Sequence, residues 1–78
     1  MMTDKYNNIT KKFGKKVKLE RVKRDLSQEA LADLSNLSRP YLGAIERAES
    51  VASIETAASI ARGLGIDLDK LFIFDDLV

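Results

Sequence analysis

The sequence predicts an all-α fold, a compact domain of five helices. Three observations predict it. Apolar residues recur three and four positions apart in the longer segments, and no run reads convincingly as a strand. Small polar residues (Ser27, Ser38, Ser53 and Asp67) stand directly before those segments, where a side-chain oxygen can accept from the unpaired N–H groups of a helix start. With 78 residues there is material for one hydrophobic core, so the helices share a single domain.

The first helix is expected from Ile9 to Arg24, with Phe13 and Val17 on its inner face and Val22 extending it. Glu20, set among lysines, is placed to pair with Lys16 or Arg24 at helical spacing. Asp25 and Leu26 end this helix, and Ser27 caps the second, Gln28 to Ser35. A turn at Asn36 and Leu37 follows. Ser38 caps the third helix, Arg39 to Arg47, and Pro40 lies in its first turn, where a missing N–H costs nothing. Beyond a short loop, Ala48 to Ala52, Ser53 caps the fourth helix, Ile54 to Leu64. Its inner face carries Ile54, Ala57, Ile60, Ala61 and Leu64, and Gly65 supplies a left-handed stop. Asp67 caps a short fifth helix from Leu68 to Phe72 or beyond. Residues 1–8 read as a flexible N-terminal arm and 9–78 as the folded domain with a C-terminal dimerisation segment.

Ala57 and Ala58 are small for the fourth helix. Either Phe72 or Phe74 fills the space they leave, or the core is lightly packed. Leu71 and Phe72 are expected to enter the core. Ile73, Phe74, Leu77 and Val78 are then candidates for a two-fold dimer seam, the alternative being that they pack back on the alanines.

The stretch from Gln28 to Arg47 carries the functional signal. Leu31 and small Ala32 sit in one helix, Asn36 stands where the chain must bend, and Leu42 with Ile45 faces inward from the next. Two helices crossing steeply need a small residue where they come closest, which Ala32 supplies. The turn between them wants one residue at positive φ, and asparagine tolerates that best after glycine. Such a pair is a helix-turn-helix, whose second helix exposes its first residues for insertion into a DNA major groove.

Composition excludes most alternatives. The chain has no cysteine and no histidine, which removes thiol chemistry, disulfides and the usual zinc ligands, and no acidic cluster has the spacing of a metal site. No phosphate-binding loop or activated nucleophile is present, so no enzyme activity, cofactor or small-molecule ligand is expected. No apolar run approaches the roughly 18 residues of a membrane span, and no signal peptide is evident, so a cytoplasmic, nucleoid-associated protein is expected. Net charge is only +1 but is unevenly placed. Residues 1–24 hold nine Lys/Arg against two acids, about +7, and residues 25–78 hold four against ten, about −6. A basic first helix could offer a face to phosphate, or its lysines could simply keep that face soluble.

Arg21 to Ala32 (R-V-K-R-D-L-S-Q-E-A-L-A) and Leu37 to Arg47 (L-S-R-P-Y-L-G-A-I-E-R) resemble the Xre/Cro class of lambda-repressor-like DNA-binding domains. Ser53 to Phe72 looks like that family's fourth and fifth helices. The similarity covers about Phe13 to Phe72, and within the class it looks most like restriction–modification controller proteins and small phage-type repressors. The resemblance implies a semi-buried ion pair between the first and third helices, here Arg21 with Glu46. It implies that Gln28 anchors the DNA backbone. Ser38, Arg39 and Tyr41 would lie at the exposed start of the third helix, with Arg39 reading guanine through its planar fork. Tyr41 would touch phosphate or a thymine methyl, or pack its ring on the second helix. Gly43 and Ala44 would let the helix backbone lie close to the bases, and Arg47 and Lys18 would meet phosphate.

One departure stands out. Where the family commonly places glycine and then basic or amide donors, this chain reads Ala48-Glu49-Ser50-Val51-Ala52, with an acid and no base. The function implied is a homodimeric transcriptional regulator on a palindromic operator, its half-sites about one DNA turn, ~34 Å, apart, blocking or recruiting RNA polymerase. A protein-interaction adaptor, such as an antitoxin-like module on the same scaffold, is the alternative.

Overall fold

Helix α1 runs Ile9–Lys23 in the computed structural model, whose described residues are 8–77. It presents Phe13 and Val17 to the core, while Val22 points to solvent. Most of the expected N-terminal arm, and Val78, lie outside the described residues. Helix α2, Gln28–Leu34, begins where Ser27 Oγ accepts from the Ala30 N–H at 3.0 Å. Its Leu31 and Ala32 are buried. Asn36 takes a left-handed conformation (φ 57°), and the Leu37 N–H returns to the Ala32 carbonyl at 2.8 Å, turning the chain into α3.

Helix α3, Arg39–Glu46, starts on Ser38, whose Oγ accepts from the Tyr41 N–H at 3.2 Å, and buries Leu42 and Ile45. Helix α4, Ile54–Leu64, starts on Ser53, buries Ala57, Ile60, Ala61 and Leu64, and stops at Gly65 (φ 74°). These residues, with Phe13, Val17 and Leu71, form one core.

Three residues in the second half of the chain differ from expectation: Asp67, Phe72 and Ile54. The fifth element, Leu68–Phe72, is a five-residue 3-10 helix rather than an α-helix, and Asp67 makes no side-chain cap bond to it. In a 3-10 turn residues three apart eclipse, so Leu68 and Leu71 share the inner side and Phe72 is rotated off it. Leu71 is fully buried, whereas Phe72 stays exposed, its ring stacked on Phe13 at 5.4 Å. The space over Ala57 is therefore not filled. Ile54, expected on the inner face, is 80% exposed at the first position of α4. An apolar groove of about 210 Å³ remains, lined by Ile9, Phe13, Val51, Ile54, Ala57 and Phe72.

Glycine permits two close helix approaches. A Cβ on Gly14 would lie 2.5 Å from the Ile45 carbonyl oxygen and 2.8 Å from that of Glu46, so α1 meets the end of α3 backbone to backbone. A Cβ on Gly63 would strike Ser35 Oγ and lie 3.2 Å from Leu31 Cδ1, where α4 crosses α2. Ser35 is fully buried there and its Oγ finds no hydrogen-bond partner among the described residues.

An ion pair ties α1 to α3 beside Gly14. Arg21 Nε donates to Glu46 Oε2 at 2.8 Å and Nη2 donates to Oε1 at 3.0 Å, a bidentate arrangement. Arg21 Nη1 donates to the Leu26 carbonyl at 2.8 Å, and Gln28 Nε2 donates to Glu46 Oε1 at 3.0 Å. The Glu46 side chain is only 2% exposed, so these donors stand where water would otherwise bond the carboxylate.

A second network closes the other side of α1. Lys16, 4% exposed, meets Glu20 at 3.0 Å and Asp76 at 2.8 Å. Glu20 also receives Arg24 at 2.7 Å and Lys23 at 3.3 Å, and Arg24 Nε caps the Leu64 carbonyl at 3.1 Å. Glu20 thus pairs with both cations proposed for it, and its network gathers the C-terminal tail and the end of α4 onto α1. Burial works against ionisation of Glu20, but hydrogen bonds from Arg24, Lys16 and Lys23 outweigh it and bring its carboxyl down to about 2.

Three outcomes are expected. Gly14→Ala should lower the unfolding free energy by at least about 1–3 kcal/mol in urea denaturation, because backbone cannot yield as a side chain does. Arg21→Ala should cost about 3 kcal/mol by the same measurement, since it strands a buried carboxylate, and Arg21→Lys should recover little of it. A carboxyl depressed in the folded state stabilises above its ordinary value and loses that contribution as pH falls. The urea midpoint should therefore decline as pH falls from about 4.5 towards about 2, and Glu20→Gln should flatten that decline while lowering the midpoint at neutral pH.

Candidate nucleic-acid interface

Helix α3 divides along its length. Leu42, Ile45 and Glu46 hold its inner side, while Ser38, Arg39 and Pro40 at its start are exposed. Arg39 has no ion-pair or hydrogen-bond partner among the described residues, so its guanidinium is available to an incoming group. Ser38 Oγ is engaged in the helix cap and keeps its hydroxyl hydrogen for a donor role. Tyr41 is half-buried and packs its ring against the core, leaving one side exposed. Ala44 is half-buried one turn further along.

Gly43 is buried, and its missing side chain has an internal use. A Cβ there would lie 3.0 Å from Arg47 Nη1 and 3.4 Å from Gln28 Oε1, so the glycine makes room for those two side chains. Gln28 is half-buried and gives its amide hydrogen to Glu46, which leaves Oε1 and the remaining hydrogen for other partners. Arg47 follows the last residue of α3 and pairs with Glu49 at 3.0 Å. Their hydrogen bond holds the Glu49 carboxyl below its usual range and the Arg47 guanidinium above its own.

The basic surplus of the first third is partly consumed inside the domain. Lys16, Arg21, Lys23 and Arg24 all meet carboxylates, and Lys16 is buried rather than solvated. Lys11, Lys15 and Lys18 remain exposed. Lys18 shares a shallow groove with Lys15, Leu19, Val22, Asp76 and Leu77, so its immediate neighbours are α1 and the tail. Of the tail residues, Ile73 is exposed, Phe74 is half-buried with its ring edge-on to Phe72 at 6.5 Å, and Leu77 is half-buried.

Sequence reasoning missed Gly14, Gly63 and the burial of Lys16 against Asp76. A glycine within a helical pattern carries a signal, since it costs stability unless another backbone comes close. No comparable local signal marks Lys16, whose partner Asp76 lies 60 residues away. Among the described residues there is no cluster able to hold a metal ion, and no helix is long and apolar enough to cross a membrane.

The geometry has known counterparts. A family model described as helix-turn-helix matches residues 17–71. The chain is 42% identical over 67 residues to the control protein C.MunI of a Mycoplasma species, covering 85% of this chain and 90% of that protein. It is 38% identical over 69 residues to the control protein C.BamHI of Bacillus amyloliquefaciens, covering 87% and 85%. The crystal structure of the restriction-modification controller protein C.AhdI from Aeromonas hydrophila superposes with a TM-score of 0.79 at 36% identity, over 81% of this chain and 96% of that one. With a family match across most of its length and relatives of this closeness, the chain belongs to the helix-turn-helix family of transcriptional regulators.

Proposed function

We propose that this protein is a sequence-specific regulator of transcription that binds double-stranded DNA as a homodimer on a palindromic operator. In this reading α2 and α3 form the helix-turn-helix and α3 enters the major groove. The observation that carries it is the division of α3: its far end is fixed by Glu46 and Ile45, while Arg39 at its start is exposed and has no partner among the described residues. A scaffold used only to bind another protein would have no need to hold that one turn clear. The similar proteins named as control proteins favour regulation and not catalysis.

Each contact has a physical basis. Arg39 would bond guanine O6 and N7 together. Ser38 and Tyr41 would donate to phosphate or meet base edges beside it, with Ala44 permitting close approach. Gln28, Arg47 and Lys18 would meet backbone phosphates, which position a protein on DNA without reading sequence. One such helix reads only a few base pairs, so two copies related by a two-fold give the needed specificity. The exposed or half-exposed Ile73, Phe74 and Leu77, and Val78 beyond them, would form the seam. It would extend onto exposed Phe72, Ile54 and Val51. A dimer on its operator would act in the cytoplasm, by blocking or recruiting RNA polymerase.

Selection of bound sequences from random duplexes, followed by affinity measurements, tests the proposal. Arg39→Ala should weaken the best site by about 1–3 kcal/mol and relax preference at one base position. An equal loss on the selected site and on a scrambled duplex would instead assign Arg39 to the backbone.

A further inference from the structure

The turn after α3 brings two opposite charges together by backbone geometry. Ala48 takes a left-handed conformation (φ 61°), its N–H bonds the Ile45 carbonyl at 3.0 Å, and the Glu49 N–H bonds the Ala44 carbonyl at 2.8 Å. The chain reverses, and Glu49 is held against the end of α3. Its Oε1 accepts from Arg47 Nη2 at 3.0 Å. The other terminal nitrogen, Nη1, lies 3.0 Å from where a Cβ on Gly43 would stand, and Gln28 Oε1 is 3.4 Å from the same point. The guanidinium is therefore turned back towards Gly43, with its outer side in solvent. Both side chains remain open to water, 56% exposed for Arg47 and 60% for Glu49. No lysine or arginine elsewhere in the loop from Ala48 to Ala52 can take up the Glu49 carboxylate in its place.

We propose that Glu49 limits the affinity of this protein for DNA by occupying the Arg47 guanidinium that would otherwise meet a backbone phosphate. The inference rests on the DNA-binding reading and names a residue that tunes it. To reach a phosphate, Arg47 exchanges one anion for another, so little is gained in the exchange. The released carboxylate is then left beside the DNA backbone. Because exposed ion pairs are weak, phosphate can compete with Glu49 but cannot ignore it. An unpaired arginine at the same place would release a counterion from DNA and steepen the salt dependence of binding.

The test is equilibrium binding of the full chain to a duplex of random sequence, by fluorescence anisotropy at several salt concentrations. Wild type, Glu49→Gln, Arg47→Gln and the double variant are compared, with thermal melts confirming that each is folded. Glu49→Gln should bind several-fold tighter, with a slope of log affinity against log salt steeper by about 0.9. In the Arg47→Gln background the same change should give little of that gain. Equal gains in both backgrounds would overturn the inference, since Glu49 would then act as an independent repelling charge. No gain in either would overturn it as well. Absence of duplex binding by all four proteins would overturn the DNA-binding reading itself, and this inference with it.

Discussion

The bidentate bond between Arg21 and Glu46 is the constraint on which the placement of α3 depends. An eight-residue helix has little stability of its own in water, so α3 exists because tertiary contacts hold it. Leu42 and Ile45 supply apolar burial, and Glu46 supplies direction. A buried carboxylate needs its donors at set distances, and here they come from α1 and from the first residue of α2. One side chain thereby fixes α3 against both neighbours. Gly14 permits this by letting α1 approach the α3 carbonyls within hydrogen-bonding reach of the pair. All of these contacts lie on the inner side or at the far end of α3, and Ser38, Arg39 and Pro40 at its start are left exposed.

Charge in this protein divides into structural and accessible sets. The basic bias of the first 24 residues, read as a surface property, is in large part internal: Lys16, Arg21 and Arg24 bond carboxylates and carbonyls within the domain. Glu20 and Glu46 are the two acids that make this possible, each collecting several cationic or amide donors. Among the described residues the exposed cations held by no internal carboxylate are Arg39 on the leading turn, Lys11, Lys15 and Lys18 on α1, Arg62 on α4 and Lys70 near the tail, with Arg47 shared with Glu49. Electrostatic attraction to DNA is accordingly spread over a small number of groups, so each matters more.

The local rules were legible in the sequence. Ser27, Ser38 and Ser53 cap the helices expected of them, Asn36 turns at positive φ, and Gly65 ends α4, because capping and turn chemistry are decided within a few residues. What was not legible is set by distant partners. The Lys16–Asp76 contact joins the first helix to the tail, and the Gly63–Ser35 contact depends on how α4 crosses α2. Ile54 fits the apolar period of α4 yet is exposed at its first position, on the rim of the groove that Phe72 lines without filling. Ala48 shows no sign by itself of its left-handed conformation. Only the resemblance, which puts glycine there, hinted at it. For the site, the exposed start of α3 followed from spacing, whereas the turned-back Arg47 could not be read without the turn that brings Glu49 to it.

The central claim is that α3 is anchored from beneath while its leading turn is free to meet DNA. Amide NMR during titration with duplex DNA tests this most directly. The account predicts the largest shifts at Ser38, Arg39 and Tyr41, with Arg21, Ile45 and Glu46 nearly unmoved. Large shifts confined to α4 and the tail, with the start of α3 silent, would contradict it.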